Sequence, residues 1–478
     1  MIDGSVVNNA PSSFQNGLTH ITALGFVPDL LALHASDSKQ YPHLLSSTAI
    51  GASARYDILF SFPGETLCLD HNGLHLSSAK YLNGSGFFEA LASLWQAETT
   101  DQKNDSDLPF TGGWFVYLSY EMAAEIETAL TLPADVSGLP VALATRFQSA
   151  VIVDHQKNQA YFVSEAAVDH QHYLQLVKLA CEKLQPVELT HISSSFKEEA
   201  ASIHLKNLEK IHQYIVDGDI FQANLSRLWQ VQLEQELSDS ELFLLLRLNN
   251  PSPFACLSVM PGGSVISSSP ERLVSLKGKQ VDTRPIAGTR PRVADENKDQ
   301  LLCNELLSNP KERAEHIMLL DLERNDLGRV CEPGSITVDE LMSIESYQHV
   351  HHIVSNVTGR VRPGISPVDI IKAVFPGGTI TGCPKVRCMQ ILAELEATGR
   401  GAYTGSIGYI NRNGDMDMNI LIRTLVKTGQ HISFRAGGGI VADSEPLHEL
   451  AETRAKAKGM INALSNALSA GQSGQAHR

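Results

Sequence analysis

The 478-residue sequence is short of positive charge. Its 38 lysines and arginines stand against 53 aspartates and glutamates, a formal net charge of -15. That balance argues against nucleic acid as a partner. Anionic small molecules then require a local basic pocket or a metal ion. No run of about 18 consecutive apolar residues occurs, so no membrane span is predicted. The opening MIDGSVVNNAPSSFQNG has no basic start leading into an apolar run, which predicts no secretory signal and a cytoplasmic protein. The seven cysteines, at 68, 181, 256, 303, 331, 383 and 388, form no CxxC pair. Their odd number and scatter fit a reducing compartment without structural disulfides or a zinc knuckle. No internal repeat is visible and no GxGxxG follows a strand pattern. GGTITGCPK (377–385) breaks the order of a GxxxxGK[ST] phosphate loop, which disfavours ATP.

What is present reads as hairpin strands mixed with helices, hence an α+β fold. ARYDILFSFPG (54–64) and ETLCLD (65–70) predict two hairpin strands, and GGWFVYLSYEM (112–122) another. Residues 142–164 predict two strands about the turn HQKN, and 170–185 a helix ending before Pro186. The segment from ELFLLL to QVDTR (241–284) predicts one helix and three short strands. Residues 296–327 read as helical, and a last helix is expected from Pro446 to Leu464. A polar joint at 186–200 predicts a division into 1–185 and 190–465, with both regions sharing one core, and a flexible tail at 466–478.

Four constellations carry chemistry. Glu312 and Glu315, and again Glu449 and Glu452, stand three apart on predicted helices, so each pair shares a face. Carboxylates in that arrangement suit a hard divalent ion, although such pairs also occur on solvated helix faces. RAGGGIVADS (435–444) has three glycines after a β run, read as a turn, a bulge or a close approach of backbone amides to a carboxylate. FPGGTITGCPK (375–385) enters a helix at Pro384, where free amides with Thr379, Thr381 and Lys385 predict an anion cradle. In VHHIVSNVTG (350–359) adjacent histidines point to opposite faces of a strand, so one can meet a pocket. A fifth stretch, VDTRPIAGTRPR (281–292), gathers Arg284, Arg290 and Arg292 around Ala287.

Taken in order over about 112–458, GGWFVYLSYE, GDIFQANLSR, SSSPERLV, TRPIAGTRPR, NPKERAEHIMLLDLERNDLGR, HHIVSNVTG, FPGGTITGCPKVRC and AGGGIVADSEPLHELAETRAKA resemble the chorismate-utilising enzymes. That resemblance implies a large two-sheet α/β sandwich of the anthranilate synthase component I type, with helices outside, and it implies Mg²⁺. It implies Glu315 and Glu452 as metal ligands, with Glu312 and Glu449 beside them. It further implies Arg423, Tyr403 and the amides of Gly437, Gly438 and Gly439 at the enolpyruvyl carboxylate of chorismate, and Thr379 in the substrate loop. Lys456 matches a lysine near the metal and ring carboxylate, His352 a histidine beside the C4 hydroxyl, and Glu271 a proton donor to that hydroxyl.

Within the family, Gly377–Gly382 and Ser406–Ile407 resemble aminodeoxychorismate synthase component I, a Mg²⁺-dependent enzyme aminating chorismate toward 4-aminobenzoate and folate. The alternative is anthranilate synthase component I, whose PIAG stretch Ala287 matches where some aminodeoxychorismate synthases carry a lysine. A catalytically silent binding subunit is the third reading. Absence of a GxCxGxQ-like segment implies a separate glutamine amidotransferase partner supplying ammonia. Ser46 replaces the glutamate of a tryptophan feedback pocket and Arg55 follows it, so the resemblance leaves room for bound tryptophan without feedback.

Overall fold

The computed structural model describes residues 13–16, 18–47, 55–78, 86–101, 106–190, 192, 194–293, 295–347 and 350–465. The expected tail at 466–478 lies outside them.

Two antiparallel sheets are built around two long strands, Tyr56–Asp70 and Ala142–Asp154, which pair along most of their lengths. Each long strand serves both sheets. The second half of Ala142–Asp154 pairs with Gln159–Glu165, while its first half pairs with Gly113–Leu118. Likewise, Tyr56–Asp70 pairs early with His43–Ser46 and late with Gly73–Leu76. The predicted hairpin at 54–70 is therefore one strand. Phe62-Pro63-Gly64 looks like a turn locally, and Phe62 has φ +58. Pairing with the neighbouring strand converts that signal into a register shift between Pro63 and Thr66, the device by which a strand bends from one sheet to another.

From this corner, one sheet runs through His43–Ser46, Phe254–Met260, Gly263–Ser269, Thr424–Thr428, His431–Ile440 and Gln222–Leu233. The other runs through Gly113–Leu118, Ser406–Asn411, Met416–Asn419, Arg272–Lys277, Gln280–Arg284 and Val350–Arg360. Strands from both sides of residue 190 thus pair within each sheet. The segment 241–284 holds four strands rather than three. The strand in 112–122 stops at Leu118 and gives way to a 3-10 turn at Tyr120–Met122.

Side chains of both sheets meet in a cluster containing Phe60, Phe115, Phe147, Val265, Ile407 and Leu421. Outer layers complete the sandwich. Helix Phe87–Glu98 and helix Pro367–Val374 cover one sheet. Helices Asp239–Asn249 and Pro446–Leu464 cover the other. The last helix has the predicted bounds, because Pro446 fits a first turn that needs no amide donor. The predicted helical stretch 296–327 is two helices, Glu296–Ser308 and Pro310–Gly328, separated at Asn309. All seven cysteines are free thiols. Among the described residues no helix is long and apolar enough to cross a membrane.

Candidate functional site

The chain crosses between the sheets twice at nearly the same place. Pro270-Glu271 leads from strand Gly263–Ser269 into Arg272–Lys277, and Ile420–Arg423 leads back from Met416–Asn419 into Thr424–Thr428. A cavity of about 180 Å³ opens there, and both crossings line it. It gathers Glu271, Ala287, His352, Thr379, Tyr403, Arg423, Gly437 and Lys456, residues far apart in sequence.

Glu271 is only 5% exposed. Burial raises its carboxyl to about 7, opposed by the Thr379 hydroxyl, the Ile286 amide and the charges of Arg423 and Lys456. The Ile286 amide approaches Glu271 Oε1 at 3.4 Å, a long contact. The Thr379 hydroxyl faces the same carboxyl but has no hydrogen bond of good geometry.

Arg423 adopts φ +52, a left-handed conformation rare for a residue with a side chain. Its neighbours hold it there: Thr404 N donates to Leu421 O at 2.7 Å and Leu421 N to Gly405 O at 2.8 Å. The guanidinium reaches Asn250 Oδ1 at 3.4 Å and forms no ion pair among the described residues. Desolvation pulls its pKa down and Glu271 partly offsets that. A half-buried cation with no carboxylate partner among the described residues suits an anion.

The two histidines divide as the strand alternation predicts. His351 turns away, with Nδ1 2.7 Å from Ser346 Oγ and Nε2 3.0 Å from Asp299. His352 lines the cavity, with Nδ1 2.9 Å from Thr289 Oγ1. Its Nε2 is buried without a hydrogen-bond partner among the described residues. Burial, with Arg423 adding repulsion, lowers its pKa to about 3, so the ring is neutral.

Ala287 and Gly288 form a bulge: Ala287 pairs with Ile353 and Thr289 with His352, leaving Gly288 extra at φ +60. A Cβ on Gly288 would stand 2.7 Å from Glu312 Oε2. The three arginines of this stretch are committed elsewhere. Arg284 pairs with Glu340 and Glu345, Arg290 with Glu305 and Glu312, and Arg292 with Asp299. They brace the loop.

The glycine run is neither turn nor bulge. Gly437, Gly438 and Gly439 continue strand His431–Ile440, opposite Ser226, Leu225 and Asn224. A Cβ at Gly437 would lie 2.6 Å from Leu225 O and 2.8 Å from the Tyr403 hydroxyl, so only glycine fits. Of the three, Gly437 lines the cavity. Nor does the 375–385 loop form the expected anion cradle. Lys385 is bound to Asp326 and to Val374 O, and the Thr381 hydroxyl turns back to Gly377 O at 3.0 Å. Thr379 alone of that trio lines the cavity.

Lys456 joins the last helix to the glycine strand: Nζ lies 2.8 Å from Glu452 Oε1 and 3.0 Å from Gly437 O. Ligand atoms of Glu449, Glu452 and His448 all lie within 4.8 Å of one another. His448 carried no signal in the sequence beyond its place beside Glu449. Glu312 and Glu315 are not part of that group; Glu312 lies beside Gly288 and pairs with Arg290. Asn224 and Arg435 also line the cavity and were not singled out from the sequence.

Ser46 and Arg55 line a second cavity, of about 480 Å³. Arg55 is already matched there, donating to both oxygens of Asp154 at 3.3 and 2.9 Å.

A cyanobacterial anthranilate synthase component I-like protein (Synechocystis sp.) is 45% identical over 363 residues, which cover 75% of this chain and 73% of that one. Aminodeoxychorismate synthase component 1 of Bacillus subtilis is 42% identical over 383 residues, 77% and 80% of the two chains. The crystal structure of anthranilate synthase component I from Streptococcus pneumoniae superposes with a TM-score of 0.75 at 32% identity, covering 86% of this chain and 93% of that one. The sequence profile of the chorismate binding enzymes matches residues 75–462. With its fold, its cavity and these matches in agreement, the chain belongs to the chorismate binding enzyme family.

Proposed function

We propose that the chain aminates chorismate with ammonia, as the synthase component of a pair whose other member is a glutamine amidotransferase. One juxtaposition carries the reading: Arg423, a guanidinium without an ion-pair partner among the described residues, and Glu271, a carboxyl raised to about 7, line one cavity. The first suits the enolpyruvyl carboxylate. The second suits the poor leaving group at C4, because a carboxyl near 7 holds a proton it can surrender at neutral pH. His352, neutral at that pH, serves as a hydrogen-bonding group to the C4 hydroxyl rather than as a cationic acid.

Glu449 and Glu452 fit a hard divalent ion. They supply carboxylate oxygens one helical turn apart, and the facing Gly438 leaves open the place where a Cβ would approach Glu452 Oε1 to 3.3 Å. Bound there, Mg²⁺ would neutralise the ring carboxylate of the substrate. Lys456 holds Glu452 toward that position. In the anthranilate reading ammonia forms its bond to C2, the ring double bonds shift, and the C4 oxygen departs as water with the Glu271 proton. Loss of the C2 proton then expels the C3 enolpyruvyl group as pyruvate, whereas a 4-amino product requires nitrogen to arrive at C4 instead.

Two members of the family remain to be separated. The sequence expectation placed aminodeoxychorismate synthase first, on the Gly377–Gly382 loop. The anthranilate synthase reading now has the better support. It is the name borne by the Synechocystis relative and the Streptococcus structure, and Ala287 puts a methyl group, not an amine, in the cavity. Aminodeoxychorismate synthase is the second reading, supported by the Bacillus relative. The larger cavity, lined by Ser46 and Arg55, is where tryptophan would bind in either case. Incubation with chorismate, Mg²⁺ and an ammonium salt separates the two. Fluorescent anthranilate with released pyruvate supports the first. A product that yields 4-aminobenzoate only after a lyase is added supports the second.

A further inference from the structure

Outside both cavities, the hairpin end formed by Tyr56–Asp70 and Gly73–Leu76 carries three ligand-type side chains on one face. Cys68 and Asp70 stand two apart on a strand and therefore point the same way. His75 is the residue directly opposite Cys68 in the ladder. Cross-strand partners have Cβ atoms about 4.5–5.5 Å apart, close enough for both to reach one atom. The Cys68 sulfur, an Asp70 oxygen and a His75 ring nitrogen all lie within 4.8 Å of one another.

The setting resembles a site more than a chance surface cluster. Cys68 is 4% exposed, while the Asp70 and His75 side chains are about a quarter exposed, so a thiol forms the floor and two polar groups form the rim. Asp70 Oδ1 accepts from Asn72 N at 2.7 Å, which fixes the carboxylate over the two-residue turn. His75 Nδ1 lies 3.2 Å from Gly73 O and 4.0 Å from Asp70 Oδ1. Ligand atoms around a tetrahedral zinc ion stand about 3.5 Å apart, given metal–ligand bonds of about 2.0–2.3 Å. Side-chain rotation closes the remaining gap without moving the ladder.

We propose that Cys68, Asp70 and His75 form a binding site for one borderline divalent ion of the zinc type, distinct from the carboxylate site of the cavity. The donor set decides the class. A thiolate and an imidazole are poor ligands for Mg²⁺ or Ca²⁺ and good ones for Zn²⁺, with the carboxylate as third ligand and water completing the tetrahedron. Coordination replaces the thiol proton, which leaves to solvent as the sulfur–metal bond forms. The ion would cross-link the two strands at the tip of the longest strand in the fold, and so hold the end of an element that belongs to both sheets.

Cobalt reports the site directly, because thiolate coordination gives a near-ultraviolet charge-transfer band. The full chain, stripped with a chelator, is titrated with Co²⁺. One equivalent should bind with that band, and Zn²⁺ should displace it and raise Tm. Cys68→Ser should abolish the band, and His75→Gln should weaken binding by more than about tenfold. The Glu449→Gln/Glu452→Gln variant should keep the band, since its carboxylates belong to the other site. A wild-type titration with no charge-transfer band overturns the proposal, as does a band that survives Cys68→Ser. Should Cys68→Ser fail to fold, the partly exposed His75→Gln decides: unchanged affinity there also overturns it.

Discussion

Glu271 and Arg272 are adjacent in sequence and serve different cavities. Glu271 lines the small one with His352 and Arg423, while Arg272 lines the larger one with Ser46 and Arg55. Arg272 is fixed by a fork to both oxygens of Asp417, at 2.8 and 2.9 Å, and lies over the Phe254 ring. The crossing between the two sheets is thus what sets the orientation of Glu271. Anything filling the larger cavity bears on the same short segment.

Glu271→Gln should lower kcat by about 10²–10⁴-fold, the range of a lost general acid. The pH profile is the sharper readout. A carboxyl titrating at about 7 is protonated below that pH, so wild-type activity should fall as pH rises through neutrality. That limb should vanish in the glutamine variant, measured across pH 6–9 (about one unit below the titration to two above).

Arg423→Ala should act mainly on KM. A charge-assisted contact to a carboxylate is worth about 1.5–3 kcal/mol, or roughly a tenfold to hundredfold weaker binding of chorismate. Steady-state kinetics with saturating ammonium checks this. A fall in kcat with unchanged KM would place Arg423 outside the carboxylate contact.

Removing Mg²⁺ with a chelator should abolish turnover, and added Mg²⁺ should restore it. In Glu449→Gln/Glu452→Gln the Mg²⁺ concentration giving half-maximal activity should rise by at least about tenfold, because two of the hard donors are lost. An unchanged Mg²⁺ dependence would count against these glutamates as ligands.

Glu396→Gln should destabilise the fold rather than alter chemistry directly. Its buried carboxylate binds Arg400 at 2.7 Å, and Arg435 lies 3.9 Å away, both guanidiniums being nearly inaccessible. Breaking such a network leaves buried cations uncompensated, at a cost of about 3–5 kcal/mol. Chemical denaturation should show that loss. Burial alone would raise the Glu396 pKa, but Arg400 and Arg435 outweigh it and hold the carboxyl below its usual value. Its stabilising effect is therefore present above the unfolded-state pKa and is lost as pH falls through the lower folded value. The difference between wild type and variant should shrink on acidification.

Local signals were legible where they agreed with tertiary context. Pro446 announces the last helix, and HQKN (155–158) announces a real turn between Ala142–Asp154 and Gln159–Glu165. They misled where long-range pairing overrode them, as at Phe62-Pro63-Gly64 and at Gly437–Gly439. Gly437 is required because Leu225 O and the Tyr403 hydroxyl leave no room for a side chain, a constraint set by residues far away in sequence. Family resemblance pointed to Glu271, His352, Thr379, Tyr403, Arg423, Gly437 and Lys456, which line one cavity, but not to their states. The rise of Glu271 to about 7 and the neutrality of His352 follow from burial in the folded chain. Lys385, which looked free to bind an anion, was claimed by Asp326 on a separate helix.

The most direct measurement supplies chorismate, Mg²⁺ and ¹⁵N-labelled ammonium to the purified chain and weighs the product by mass spectrometry. The account predicts a product that carries the label, formed by the wild type and lost in Glu271→Gln. Unchanged chorismate, or a rearranged hydroxylated product without ¹⁵N, would contradict it.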